Sequence, residues 1–186
     1  MADYEFSGSY VQAIIAALRR SPKSHAIAAK LSFDAKLLWE NPWSNTWQPA
    51  QPFEEIGDVA TAELGESVYD ELTHVTMKER IGPIVLPMLK SSIATKSPGN
   101  VLKKLNDLVK VAMRGIVVDY QSEGTHAGVV QVSYPRPVKK HVVSSWFGVI
   151  RFVFDITSPG QITQSQQVND DATLLFVISW AEAPAK

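Results

Sequence analysis

Four histidines, His25, His74, His126 and His141, are the residues of this chain best suited to metal or acid–base chemistry. A zinc or proton-transfer site commonly shows as close pairs, H-E-x-x-H or H-x-H, and no two of these four stand so. His126 falls in a turn and His141 at the start of an element, so both are expected to be solvated rather than ligating. There is no cysteine, which excludes disulfides, thiolate metal sites, iron–sulfur clusters and cysteine nucleophiles. Neither G-x-G-x-x-G nor G-x-x-x-x-G-K-S/T occurs, nor a G-x-S-x-G elbow or an S-x-x-K pair. The adjacent carboxylates Glu54-Glu55 and Asp170-Asp171 sit where a helix start and a turn favour acids, and adjacent residues rarely converge on one substrate. No catalytic residue is assigned, and enzyme activity is not expected. That reading would revive only if His141, Asp155 or Arg151 met in a cleft.

Arg136, Lys139, Lys140 and Arg151 lie in sequence beside Tyr134, Trp146 and Phe147, a mixture that can hold single-stranded nucleic acid. The net charge of −1, from 18 basic and 19 acidic residues, supplies no long-range field for such a partner. A loop and a solvated face are expected there, and no nucleic-acid partner.

The elements that must position any site change period near Gly115. Before it, apolar residues recur at helical spacing: Val11–Arg20, Ser24–Leu31, Phe53–Leu64, Val68–Arg80, Ile84–Ile93 and, most clearly, Ser97–Met113. Ser24 is a candidate N-cap, Gly65 a stop, and Pro98 fits the first turn of the last helix. In Asp34–Pro52, Trp39, Trp43 and Trp47 recur every four residues, but Pro42 forbids a continuous helix. A loop pinned by its tryptophans is expected, with a recognition surface or pocket lid as the alternative. After Gly115, Ile116–Tyr120 and Val129–Tyr134 read as a hairpin turning through Gly124, and Ile162–Val168 as a half-buried strand. Ser158-Pro159-Gly160 and Asn169-Asp170-Asp171 read as turns, and Ala172–Trp180 as a central strand. Residues 139–156 fit a helix or a strand, and their length leans to the helix.

These pieces resemble a family of unknown function with many paralogues in myxobacteria. The likeness rests on GSYVQAI, NPWSNTWQP, GESVYDEL, RIGPIVLPMLK, MRGIVVDYQSEGTHAGVVQVSY and a C-terminal pair of strands ending in SW. That family is in turn similar to the haem nitric-oxide-binding domains, the vinyl-reductase-like domains and the TRAPP vesicle-tethering subunits. The wider resemblance implies helices packed on one side of an antiparallel sheet, often around an apolar pocket. Its haem-binding members carry Tyr-x-Ser-x-Arg. Here Tyr120 and Ser122 match, but Gly124 replaces the propionate-binding arginine, and Ser97–Met113 lacks the proximal histidine. Haem is therefore not expected, and no other cofactor or metal is.

The expectation is one α+β domain over 1–186, with a helical part at 1–114 and a sheet part at 115–183. The sheet should hold about four antiparallel strands with one crossing helix. The expected role, carried by the resemblance, is a non-catalytic sensory or regulatory module that binds an apolar small molecule or a protein partner. The alternative is an interaction domain with a filled core, working as a homodimer or complex subunit. Leu105, Val109, Met113, Trp146, Ile150 and Phe154 are the pocket candidates, with simple core packing as the competing reading. No segment approaches the length of a membrane span and the N-terminus lacks signal-peptide character, so a cytoplasmic location is expected.

Overall fold

The computed structural model describes residues 3–94, 97–157, 162–170 and 172–181, with 162–170 described by backbone alone. The N-terminal half is helical. Helix α1 (Gly8–Arg19) is capped by the Ser7 side chain, and α2 (Ser24–Lys30) starts at Ser24 itself, with Lys23 in the cap position. Helix α3 (Phe33–Glu40) begins where Ser32 caps Ala35. It is followed by α4 (Ala50–Leu64), stopped at Gly65 with φ 86°, and by α5 (Glu66–Thr76). The chain then widens into a π-helical turn, Met77–Ile81, before α6 (Gly82–Ala94). Pro83 explains the widening: its ring clashes with a carbonyl four residues back, and the Gly82 N–H instead reaches back five, to Met77.

The expected Ser97–Met113 helix is two. After α7 (Pro98–Leu102), Lys104 N–H bonds the Val101 carbonyl at 2.9 Å, a tight three-residue turn, and α8 (Leu105–Ala112) follows. The tryptophan segment is also not simply a pinned loop. Trp39 is buried on α3, Trp43 is 66% exposed, and Trp47 lies in a short strand under the Arg114 guanidinium. That strand, β2 (Trp47–Pro49), pairs with β1 (Glu5–Ser7), which also pairs with β3 (Met113–Arg114), all antiparallel. This small sheet went unforeseen because three-residue strands carry no period.

The main sheet runs β4-β5-β7-β6, from β4 (Val117–Ser122), β5 (Ala127–Ser133), β6 (Ile162–Asp170) and β7 (Thr173–Trp180). The β4–β5 hairpin turns through Gly124, at φ 103°. Because β5 and β6 are each antiparallel to β7, they run parallel to one another, and such a return needs a crossover. Residues 140–157 supply it as helix α9 (Lys140–Thr157), which resolves the helix-or-strand ambiguity. Val130, Val132, Leu174, Phe176 and Ile178 alternate onto the covered face, against α9 and α7. The architecture is α+β, with helices first and the antiparallel sheet last. Asn169 and Asp170 belong to β6, with a register shift there, rather than to a turn. The expected turn at 158–160 and the half-burial of 162–168 lie outside the described residues.

Candidate functional site

Helix α9 is apolar on two faces because it is sandwiched. Ile150 and Phe154 face the sheet side, where the Phe154 ring meets Trp180 at 5.6 Å. Val142, Trp146, Val149 and Val153, spaced three or four apart, line the adjacent face, with Trp146 at the border, 6.4 Å from Phe176. There they enclose a cavity of about 80 Å³ with Tyr69 of α5, Met77 and Ile81 of the π-helical turn, Leu105, Leu108, Val109 and Ala112 of α8, and Met113. Phe6, Tyr10 and Phe53 close the near end. Four of the six sequence candidates, Leu105, Val109, Met113 and Trp146, therefore line one cavity, while Ile150 and Phe154 do not.

The polar groups at this cavity are deeply buried. Glu54 of α4 is 2% exposed; its carboxylate accepts from the Tyr4 hydroxyl and from Arg136 Nη2 at 2.7 Å. Arg136 also donates to Asp3 at 2.9 Å and stacks over the Tyr4 ring. Burial opposes the Arg136 charge, but Glu54 and Asp3 outweigh it and hold the guanidinium protonated. Burial, reinforced by Glu54, pushes the Tyr4 hydroxyl up, and burial alone pushes Tyr10 up to about 12. The Trp146 indole donates to the Tyr134 hydroxyl at 2.7 Å.

His141 corrects the expectation that it is solvated: it is 5% exposed and lines the cavity. Its Nδ1 lies 2.6 Å from Asp58 Oδ1, and Lys139 holds the other Asp58 oxygen. Burial lowers its pKa, outweighing the pull of Asp58 in the other direction. His126 is half-buried, its ring edge-on to Trp180. The grouping that would have revived an enzyme reading does not form. Arg151 and Asp155 converge on His74, with Asp155 2.9 Å from its Nε2, while His141 pairs elsewhere. The basic–aromatic mixture is not a free surface either. Arg136, Lys139, Lys140 and Arg151 each meet a carboxylate, and Tyr134 and Trp146 are buried. Sequence reasoning missed Glu54 and His141, whose partners lie about 80 residues away.

The arrangement of α1–α9 around the β4-β5-β7-β6 sheet has solved counterparts. An Fe(II) unliganded H-NOX protein from K. algicida superposes with a TM-score of 0.67 at 10% identity, over 97% of this chain and 99% of that one. This is the H-NOX fold. A variant of the T. tengcongensis H-NOX protein gives 0.61 at 12%, over 96% and 100% of the two chains. An oxygen-binding H-NOX domain related to soluble guanylate cyclases gives 0.58 at 13%, over 97% of each. No protein-family model and no curated protein matches the sequence. At such identities the likeness establishes the fold alone.

The H-NOX fold raises haem, and the residues here do not fit it. Cofactor and drug-sized pockets span roughly 300–1,000 Å³, whereas this cavity is about 80 Å³. Helix α8 carries no histidine. Tyr120 lies across the hairpin on Gly128, Ser122 donates to the Gly124 carbonyl, and no arginine stands at 124 to meet a propionate. Arg136, the cation beside the cavity, is held by Glu54 and Asp3. Among the described residues no cluster of His, Cys, Asp or Glu could hold a metal ion, and no helix is long and apolar enough to cross a membrane.

Proposed function

We propose that this protein is a non-catalytic sensory or regulatory module that binds a small apolar molecule, without haem, in the cavity between α5, the π-helical turn, α8 and α9. The observation that carries the reading is the cavity itself, walled mainly by aliphatic and aromatic side chains in the middle of an otherwise packed core. Its size sets the ligand class. A water occupies about 30 Å³ in the liquid, and benzene enters an engineered cavity of about 150 Å³. A volume of about 80 Å³ suits a molecule of a few heavy atoms. The H-NOX fold, one member of which is described as oxygen-binding, supports a small-ligand role by analogy.

Xenon is a suitable probe. Methyl resonances of Val109, Val149 and Val153 are expected to shift saturably under xenon pressure, and Ala112→Leu, which extends the wall into the space, to abolish the effect. Absence of any saturable shift at these residues would refute the pocket. An absorbance scan of purified protein is expected to show no Soret band; a strong band would overturn the haem-free part alone. An interaction role finds support in the exposed apolar side chains Ile84, Leu86 and Met88 on α6. Native mass spectrometry separates the readings: a dimer mass with no retained small molecule favours interaction.

A further inference from the structure

We propose that the cavity selects a neutral small molecule carrying a hydrogen-bond donor, of the short-chain alcohol class, and that His141 Nε2 is the atom that receives the donor. The inference rests on the pocket reading above and adds a polar requirement to it.

The tautomer follows from the partners. A carboxylate only accepts, so the imidazole nitrogen 2.6 Å from Asp58 Oδ1 carries a proton. Lys139 on the second Asp58 oxygen fixes that carboxylate in place. The ring is neutral in this apolar setting, because burial works against the imidazolium and outweighs Asp58 and Glu54. A neutral imidazole with a proton on Nδ1 has a bare lone pair on Nε2. No hydrogen bond from the described residues reaches Nε2; the ring's bond is the one to Asp58.

The close seat of the His141 ring against α4 depends on a glycine. A Cβ at Gly57, inside α4, would fall 2.6 Å from Nε2 and 3.0 Å from the Tyr69 hydroxyl. Any other residue there would press on the ring edge and displace it, so Gly57 lets the ring sit where it does. An acceptor that faces an apolar cavity without a donor is unfavourable, and the rest of the wall is predominantly apolar. An apolar stub of a few carbons with one hydroxyl satisfies both at once. The groups facing the ring are Asp58 and Glu54 of α4, Tyr69 of α5 and Lys139 just before α9.

Ethanol and dimethyl ether test this, because they are isomers of equal heavy-atom count and only ethanol donates. Xenon, which makes no hydrogen bond, reports on the pocket separately. In two-dimensional NMR titrations ethanol is expected to bind roughly threefold to tenfold tighter than the ether, and to move the His141 Nε2 nitrogen resonance while ether leaves it in place. The preference should vanish in Gly57→Ala, whose methyl would displace the imidazole ring from its seat. The nitrogen resonance needs no variant and stands even if that substitution disturbs the fold. Equal affinity for the two isomers, or an Nε2 already protonated in the free protein, overturns the inference while xenon binding leaves the pocket standing. Failure of xenon, ethanol and ether together overturns both.

Discussion

Replacing Arg136 by methionine isolates the buried carboxylate beside the cavity. Glu54 keeps the Tyr4 hydroxyl but loses the cation 2.7 Å away. Breaking one side of a fully buried ion pair costs about 3–5 kcal/mol, because the remaining charge stays without its partner. The Arg136 side chain is 28% exposed, so water already reaches one end of the pair. The expected loss for Arg136→Met therefore falls to about 2–3 kcal/mol. In a chain of this length each kcal/mol moves Tm by about 2–4 °C, so Tm should fall by about 4–12 °C. Urea melts at neutral pH measure it. The double variant Glu54→Gln/Arg136→Met should recover most of the loss. A single variant within about 0.5 kcal/mol of the parent, or a double variant no better than the single, would refute the assignment of Arg136 as the partner that makes Glu54 tolerable in the core.

Trp146→Phe removes the indole donor to the Tyr134 hydroxyl, so denaturant midpoints should report a loss of about 1–3 kcal/mol, with Tyr134→Phe in the same chain giving less than the sum of the two. His141 contributes pH dependence of the opposite sense to a histidine stabilised by its charge. Its folded pKa lies below the unfolded value, so the unfolded chain takes up the proton first. Stability from this group is full above about pH 6.5 and falls as the pH drops from there toward the folded pKa. His141→Phe should flatten the acid limb of a stability-against-pH curve; an unchanged limb would assign it to other groups.

The period change near Gly115 made the layer order legible, since helical spacing and strand alternation report directly which residues share a face. The crossing helix was half legible: the apolar residues of 139–156 satisfy both periods because α9 is buried on two sides, leaving no polar stripe to break the tie. For the same reason Trp146, Ile150 and Phe154 could not be divided between cavity and sheet. Ser97–Met113 keeps its helical spacing through Lys103-Lys104, and nothing local announces the turn that precedes α8. The burial of Glu54 and His141 was invisible, because the groups that make it affordable, Arg136 and Asp58, are distant in sequence and adjacent only after folding. Charge at those positions read as solvent exposure, which is the ordinary reading for an unpartnered acid or imidazole.

Because one face of α9 forms the cavity wall and another rests through Phe147 and Phe154 on Phe176 and Trp180, the helix is placed as a lever with its fulcrum on the strands. A tilt of the rod would be delivered to Phe176 and Trp180 of β7. The amplitude of that displacement grows with ligand bulk, which would make occupant size, rather than mere presence, the quantity passed to the far side of the molecule.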